Sequence, residues 1–386
     1  MANILLTGGR APAALELARI FHKAGHTVYA AESLADNLCA SSRAVRGSYR
    51  VPPPRQQTAA FIHALNELIQ RLDIDLLLPT CEEVFYIAMG RAELSPHCTV
   101  FVESLERLRT IHNKWTFNRL AHSYGLRVPQ SCLVENPEDL RFAFDRFPRL
   151  VLKPVYSRFA SRTLILPSFS QALSALQHYP TFQWVAQEFI EGEQLCTYSI
   201  VHQGHLTAHS AYRTEFTAGQ GATIAFHHED HPASLAWVQT FAAQFAYTGQ
   251  IALDFIETPV GEVFALECNP RATSGVHLFA SKEQFPSAFF DPQQPCLFPD
   301  QGESSMLLSA MLLYGFPSSL TKRKFKKWLT TFLTSRDVIF TWQDPLPALF
   351  QPASILHFVL LGKKCGISAL EASTLDIEWN GEDDNK

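Results

Sequence analysis

Residues 249–269, GQIALDFIETPVGEVFALECN, read as two strands joined by a turn near Pro259 to Gly261. Strands connected by so short a turn pair with each other, which brings Asp254 on the outgoing strand opposite or diagonal to Glu267 on the returning one. Asn269 follows Glu267 by two residues and therefore shares its face. Three hard oxygen donors then converge at the end of an otherwise apolar run. Two carboxylates held together repel unless a cation neutralises them. Asp, Glu and an amide oxygen are donors suited to Mg2+, with phosphate oxygens completing its shell. Spacing alone leaves one alternative open, a pair of solvent-facing strand acids.

Ahead of this hairpin the chain changes character once. Through about residue 103, apolar runs (NILLTG, HTVYAAES, IDLLLPT, CTVFVES) alternate with amphipathic stretches, which implies βαβ units and a mainly parallel, Rossmann-like sheet. Ligands in such sheets sit outside the carboxyl ends of the strands, here Thr7 to Arg10 and Thr80 to Glu83. The adjacent Gly8 and Gly9 do not make a GxGxxG fingerprint and read as a tight strand-to-helix turn with Pro12 in the first helical turn. From Ser104 the pattern is helical as far as Gly125. Strands then dominate: RLVLKPV, RTLIL, WVAQEFI and a hairpin turning at Gln203-Gly204, with helices at about 168–178 and 232–247. This is an α+β pattern. Beyond about Phe279 the chain is helical, Pro-rich and aromatic, and EWNGEDDNK reads as a frayed acidic tail. The boundaries expected are 1–103, 104–280 with a hinge near 187–193, and a mostly helical extension over 281–386.

Composition narrows the partners. With 47% hydrophobic and 18% charged residues and a formal net charge of -5, the chain has the balance of a soluble globular protein, and no basic stripe exceeds TKRKFKK at 321–327. That cluster reads as a solvated helix face, so nucleic acid is not expected as a partner. Eight cysteines without CxxC or paired His/Cys spacing indicate neither a zinc site nor a disulfide framework. MANILLTGG enters a strand at once and no apolar run reaches the length of a bilayer span, so the expectation is a cytoplasmic protein without membrane contact.

The segment LDFIETPVGEVFALECNPR resembles the metal-binding hairpin of the ATP-grasp superfamily, in its carbamoyl phosphate synthetase-like carboxylate-amine ligases. Further segments of that family's apparatus occur in the same order. NKW at 113–115 and LVLKPV at 150–155 resemble the two lysine-bearing segments, and VAQEFIEGEQ at 185–194 resembles the strand that links the two halves of the grasp. The resemblance spans about residues 1–280. It implies a Rossmann-like domain, then the two α+β lobes of the grasp, then the helical extension. It further implies ATP with Mg2+, or Mn2+ in its place, as cofactors. Asp254, Glu267 and Asn269 become the metal ligands, and Lys114 and Lys153 the phosphate-neutralising groups. Glu188 and Ile190 become backbone partners of adenine, and Glu193, or Gln194 in another register, the ribose ligand. Arg271 becomes the grip on an acyl phosphate or substrate carboxylate, with Thr273, Ser274 and Gly275 orienting.

Departures and open assignments remain. The loop YSRFASR at 156–162 has no glycine where relatives often carry a glycine-rich phosphate cover, leaving Ser157, Ser161, Arg158 or Arg162 for that contact. Arg213, Gly219 and Gly221 of YRTEFTAGQGAT resemble a substrate- or phosphate-facing loop or serve a simple hairpin connection. Glu82 of PTCEE reads either as an amine contact or as a bystander to a capping box made by Thr80 and Glu83. The function implied is ATP-dependent ligation of a small carboxylic acid to an amine or amino acid through an acyl phosphate, releasing ADP and phosphate. Its rivals are an ATP-dependent carboxylase or carbamate-phosphorylating enzyme and a nucleotide-binding module without turnover. A homodimer is a common arrangement in proteins of this kind.

Overall fold

The computed structural model describes residues 1–158, 162–179, 183–218 and 221–381. Ser161 and Gly219, given roles above, lie outside them. The first apolar runs become five parallel strands, β1 (Asn3–Thr7), β2 (Thr27–Glu32), β3 (Gly47–Arg50), β4 (Leu76–Leu78) and β5 (Thr99–Val100), in the order β3-β2-β1-β4-β5. Ile4, Leu5 and Leu6 are all fully buried, because helices cover both faces of the sheet. Those helices include α1 (Pro12–Lys23), α2 (Thr58–Leu72) and α3 (Glu83–Met89). Gly8 has φ +73°, and a Cβ there would stand 2.6 Å from Thr80 Oγ1, so the turn into α1 requires glycine on both counts.

The helical pattern that begins at Ser104 is two helices, α4 (Leu105–His112) and α5 (Lys114–Ser123). Asn113 divides them: its backbone is extended and its side chain accepts from the amides of Trp115 and Thr116. The break puts Lys114 at the first position of α5, where its amide donates to Val155 O at 3.1 Å. Next come β6 (Ser131–Val134), α6 (Pro137–Arg146), β7 (Leu150–Pro154), β8 (Leu164–Ile165), α7 (Phe169–His178) and β9 (Trp184–Glu188). The four strands form an antiparallel sheet, β6-β9-β7-β8.

A second antiparallel sheet follows, built from β10 (Glu193–His202), β11 (His205–Arg213), β15 (Gly249–Glu257) and β16 (Val263–Asn269) in the order β11-β10-β15-β16. Gln203 and Gly204 turn the β10–β11 hairpin with φ of 47° and 86°, the left-handed pair that a two-residue hairpin needs. Between β11 and β15 lie the short pair β12 (Thr217–Ala218) and β13 (Ala222–Thr223), then β14 (Ala225–His227) and α8 (Pro232–Phe245). Helix α8 buries Trp237 and Phe241, and Trp237 meets Phe255 of β15 edge-on at 5.3 Å.

The C-terminal third is mostly helical, but two short strands, β17 (Ser304–Met306) and β18 (Arg336–Asp337), extend β14 into a separate three-stranded sheet. Around them run α9 (Leu308–Ala310), a π-helical turn over Met311–Gly315, α10 (Phe316–Ser318), α11 (Lys322–Thr334), α12 (Leu346–Cys365) and α13 (Ala369–Ala372). Arg336 reaches back to Glu16 of α1 at 2.7 Å, and His277 Nδ1 lies 2.9 Å from the same carboxylate oxygen. Asp344 likewise binds Arg19 at 2.9 Å and the Ser42 hydroxyl at 2.6 Å.

The tail corrects an expectation. Only residues 382–386 lie outside the description, and EWN packs into the first lobe instead of fraying. Trp379 is fully buried, stacked on Phe85 at 4.6 Å, and Asp376 pairs with Arg10 at 2.6 Å. A charged composition hid a buried ring and, just before it, an acid, Asp376, that finds a buried partner. By contrast Trp342 and Phe350 are exposed.

Two stability predictions follow from these ties. Burial pushes Glu16 up, but Arg336 and His277 outweigh it and hold the carboxyl at about 2, below its ordinary 4.5. The folded value being lower, its contribution is complete above the ordinary value and is lost as pH falls through about 2. Glu16→Gln is therefore expected to cost about 3 kcal/mol at pH 7 in urea unfolding, the cost of breaking a buried pair. The difference from the parent should shrink as the medium is acidified. Trp379→Ala is expected to cost about 3–5 kcal/mol in the same assay, as for other buried aromatic truncations; a change within error would mean that the tail is not part of the cooperative unit.

Candidate functional site

The strand register places Asp254 directly opposite Glu267 and Asn269 opposite Ala252. A bulge between Asp254 and Phe255 leaves Leu266 without a partner in the register. Its carbonyl accepts from Lys153 Nζ at 3.3 Å. Lys153 comes from β7 in the other sheet, and Lys114 from the start of α5. Lys114 Nζ lies 3.3 Å from Glu267 Oε2 and donates at 3.3 Å to the carbonyl of Ser157. Both lysines are buried, at 3% and 6% exposure, so Lys114 is no surface helix residue. The break at Asn113 is what turns it inward.

The charges settle unevenly over the acid pair. Burial, with Glu267 next to it, raises Asp254 to about 7. Burial would raise Glu267 too, but Lys114 and Lys153 overcome it and hold that carboxyl at about 2. Burial lowers Lys153 to about 8, with Glu267 opposing. Near neutral pH Asp254 is therefore partly protonated, while Glu267 stays ionised beside two ammonium groups.

Asn269 Nδ2 points to Asp254 Oδ2 at 3.5 Å, and its Oδ1 accepts from Arg271 Nη2 at 3.1 Å. Arg271 Nε stands 3.7 Å from Glu82 Oε1, to which Arg158 Nε comes within 2.9 Å. Glu82 is wholly buried, and its other oxygen accepts from the Trp379 amide at 3.1 Å. Burial opposes its ionisation, yet Arg158, His112 and Arg271 keep it below the ordinary carboxylate range. Among the described residues four cationic groups, Lys114, Lys153, Arg158 and Arg271, stand close to the carboxyls of Asp254, Glu267 and Glu82, a setting that suits an anionic ligand.

Among the described residues no cluster of three or more His, Cys, Asp or Glu side chains could hold a metal by itself. The two acids and Asn269 fit a divalent cation in another way: they are hard oxygen donors, and the proton on Asp254 is what such a cation would replace. Two carboxylates and one amide do not fill a Mg2+ shell, so the remaining oxygens have to come from a bound anion.

The other residues singled out in the sequence are distributed more widely. Glu188 ends β9 with its amide already donated to Gln130 O at 2.9 Å and its side chain accepting from Gln130 N at 2.8 Å. Ile190 follows in the β9–β10 connection, and at Gly192 a Cβ would stand 2.1 Å from Glu257 O, which pins that connection to β15. Glu193 is exposed and lies 3.2 Å from Arg213 Nη1. Arg213 also forks onto Glu229, with two contacts of 2.8 Å, and reaches Glu257 at 2.6 Å, so its guanidinium is occupied by three acids. Ser157 offers its carbonyl to Lys114. Arg162 pairs with Glu371 at 3.8 Å.

The Thr80 capping box is corrected: Thr80 Oγ1 donates to Thr7 O, and the Glu83 carboxylate accepts the amides of Thr80 and Cys81 and the Thr7 hydroxyl. The side chain that ties this strand end together is Glu83, not Thr80. Sequence reasoning missed the Glu82–Arg158 pair, the buried His112 and Trp379. The only signal for Trp379 was a single aromatic in an acidic tail.

No protein-family profile matches this chain, and no curated protein sequence does. Solved structures do match. N5-carboxyaminoimidazole synthetase from Staphylococcus aureus superposes with a TM-score of 0.64 at 12% identity, over 81% of this chain and 84% of that one. Phosphoribosylamine–glycine ligase from Thermotoga maritima gives 0.60 at 16% identity, over 78% of each chain. L-amino acid ligase from Bacillus licheniformis gives 0.58 at 14%, over 73% of this chain and 70% of that one. Together with the parallel sheet and the two antiparallel sheets that follow it, these likenesses identify the architecture as the ATP-grasp fold.

Proposed function

We propose that this protein is an ATP-dependent carboxylate-amine ligase that works through an acyl phosphate and releases ADP and phosphate. The observation that carries the reading is the convergence of Lys114 and Lys153, from two separate elements, on Glu267 directly opposite Asp254. Burying two ammonium groups and two carboxyls costs several kcal/mol per ion after relaxation, so stability alone gives no reason to retain them. A nucleotide triphosphate supplies the reason. Lys114 and Lys153 neutralise phosphate oxygens, Asp254, Glu267 and Asn269 hold Mg2+, and the β9–β10 connection takes the adenosine, with the Glu188 carbonyl and Ile190 at the base and Glu193 at the ribose. When bound, the metal spreads the charge of the transferring phosphoryl group.

Arg271 orients the attacking carboxylate, because its planar fork lies next to the metal-ligand set through Asn269. Glu82 holds Arg271 and Arg158 in place, which makes it a positioning residue in this reading. Phosphoryl transfer of this kind relies on placement and charge neutralisation, so no covalent nucleophile is assigned. Among similar structures are proteins named as ligases of an amino acid or of glycine and one named as biotin carboxylase from Campylobacter jejuni, which keeps bicarbonate as a candidate acid.

Phosphorus NMR with Mg-ATP and pooled carboxylic acids, bicarbonate included, with and without pooled amines, tests the reading. ADP and phosphate are expected only when an acid and an amine are both present. Dependence on bicarbonate in place of an organic acid assigns the carboxylase reading, and AMP with pyrophosphate overturns the acyl phosphate. Glu267→Gln is expected to lower turnover about a hundredfold or more, and because it leaves the buried Lys114 and Lys153 without their carboxylate the unfolding midpoint should fall as well. A retained proton on Asp254 also sets the pH response. Calorimetric affinity for Mg-ATP should be about tenfold weaker at pH 6 than at pH 8, because the cation competes with a proton held to about 7.

A further inference from the structure

Of the large apolar side chains exposed among the described residues, most lie between Leu312 and Leu360. Leu313, Leu320, Leu333, Leu349 and Leu356 each expose more than half their surface, and so does Trp342, at 84%. Two elements supply much of this face. On α11, Phe325, Leu329 and Leu333 recur every four residues and form an exposed stripe, while the neighbouring Trp328, stacked on Phe325, is buried and donates its ring N–H to Met311 O. Helix α12 is twenty residues long and apolar enough by composition to cross a membrane, yet only Pro347 and Gly362 are buried along it. The expectation above was that no apolar run reaches the length of a bilayer span; α12 reaches it by length and composition.

The charge on the same region singles out one occupant. Residues 308–365 hold eight lysines and arginines against two aspartates in a chain whose formal net charge is -5; of the eight, Arg336 is turned inward to Glu16 and Lys327 pairs with Glu215 at 3.0 Å. Lys324 and Lys326 flank the apolar stripe of α11, and Lys363 and Lys364 close α12, all of them exposed. Positive charge in the first turns of α11 also opposes the helix dipole, a local cost that a facing anion removes. A second copy of the chain would set like charges against each other across a two-fold axis. An anionic surface is attracted instead.

We propose that the α11–α12 face docks peripherally on an anionic lipid surface, with Phe325, Leu329, Leu356 and Leu360 entering the headgroup boundary and the lysines meeting the lipid phosphates. The helix lies on the surface and does not span it. Asp344, just before α12, is tied to Arg19 and Ser42, and Asp376, after it, to Arg10 and Ser33. Both ends are therefore anchored to one globular body, which a helix reaching opposite sides of a bilayer cannot satisfy. The proposal is independent of the reaction assigned above.

Sedimentation of the full chain with phosphatidylcholine vesicles, with and without phosphatidylglycerol, tests it. Binding is expected only to the vesicles that contain phosphatidylglycerol, and it should fall as salt is raised. It should drop about a hundredfold or more in the charge reversal K324E/K326E/K363E/K364E. L356E/L360E should also release the protein, and both variants change exposed positions, so their circular dichroism should match the parent. Failure to sediment with either vesicle overturns the proposal. In that case light scattering reads what covers the face: a dimer broken by L356E/L360E assigns it to a second copy, and a monomer to a protein partner. Equal binding to neutral vesicles, unaffected by the charge reversal, overturns the electrostatic recognition.

Discussion

The arrangement of this protein turns on a single carboxylate, Glu267, held between Lys114 and Lys153 and facing Asp254. Each of the four groups is expensive to bury alone. To bring them together the chain breaks a helix at Asn113, bulges a strand at Leu266 and lays the β7 sheet against the edge of the β16 sheet. The sheets are thereby tied by electrostatics at the place where a ligand would enter. The surrounding aromatic core, with Trp237, Phe241 and Phe255, supplies the stability that the charges do not.

Much of this was legible before the fold was known, for reasons that differ by region. The parallel sheet announced itself through period and punctuation, since strands buried on both faces leave continuous apolar runs. The Asp254–Glu267 pairing followed from a turn too short to allow any other partner. Lys114 was harder: three residues in a helical pattern say nothing about burial, and only the cap at Asn113 explains why this lysine points inward. Glu82 was ambiguous because its partners, Arg158, Arg271 and the Trp379 amide, are scattered through the sequence and meet only in three dimensions. Helix α12 went unread in the sequence: it is apolar enough to cross a membrane, yet only Pro347 and Gly362 along it are buried.

Local rules and tertiary demands conflict at few places, and these cluster around the candidate site and the C-terminal face. A glycine-free loop carries Arg158 to a buried acid of another lobe, and lysines crowd the first turns of α11. Elsewhere propensity, pattern and packing agree, as in the Gln203-Gly204 turn and the Gly8 bend.

The burial of Trp379 against Phe85, with its amide on Glu82, has a consequence for how the protein is made. The contact closes 297 residues of chain. At ribosomal speeds of about 5–20 residues per second, the first lobe waits some 15–60 s after its own synthesis for the strip that covers Phe85. Until then an apolar ring and a carboxylate destined for the interior face solvent or a chaperone, and the lobe that is translated first is among the last to be sealed.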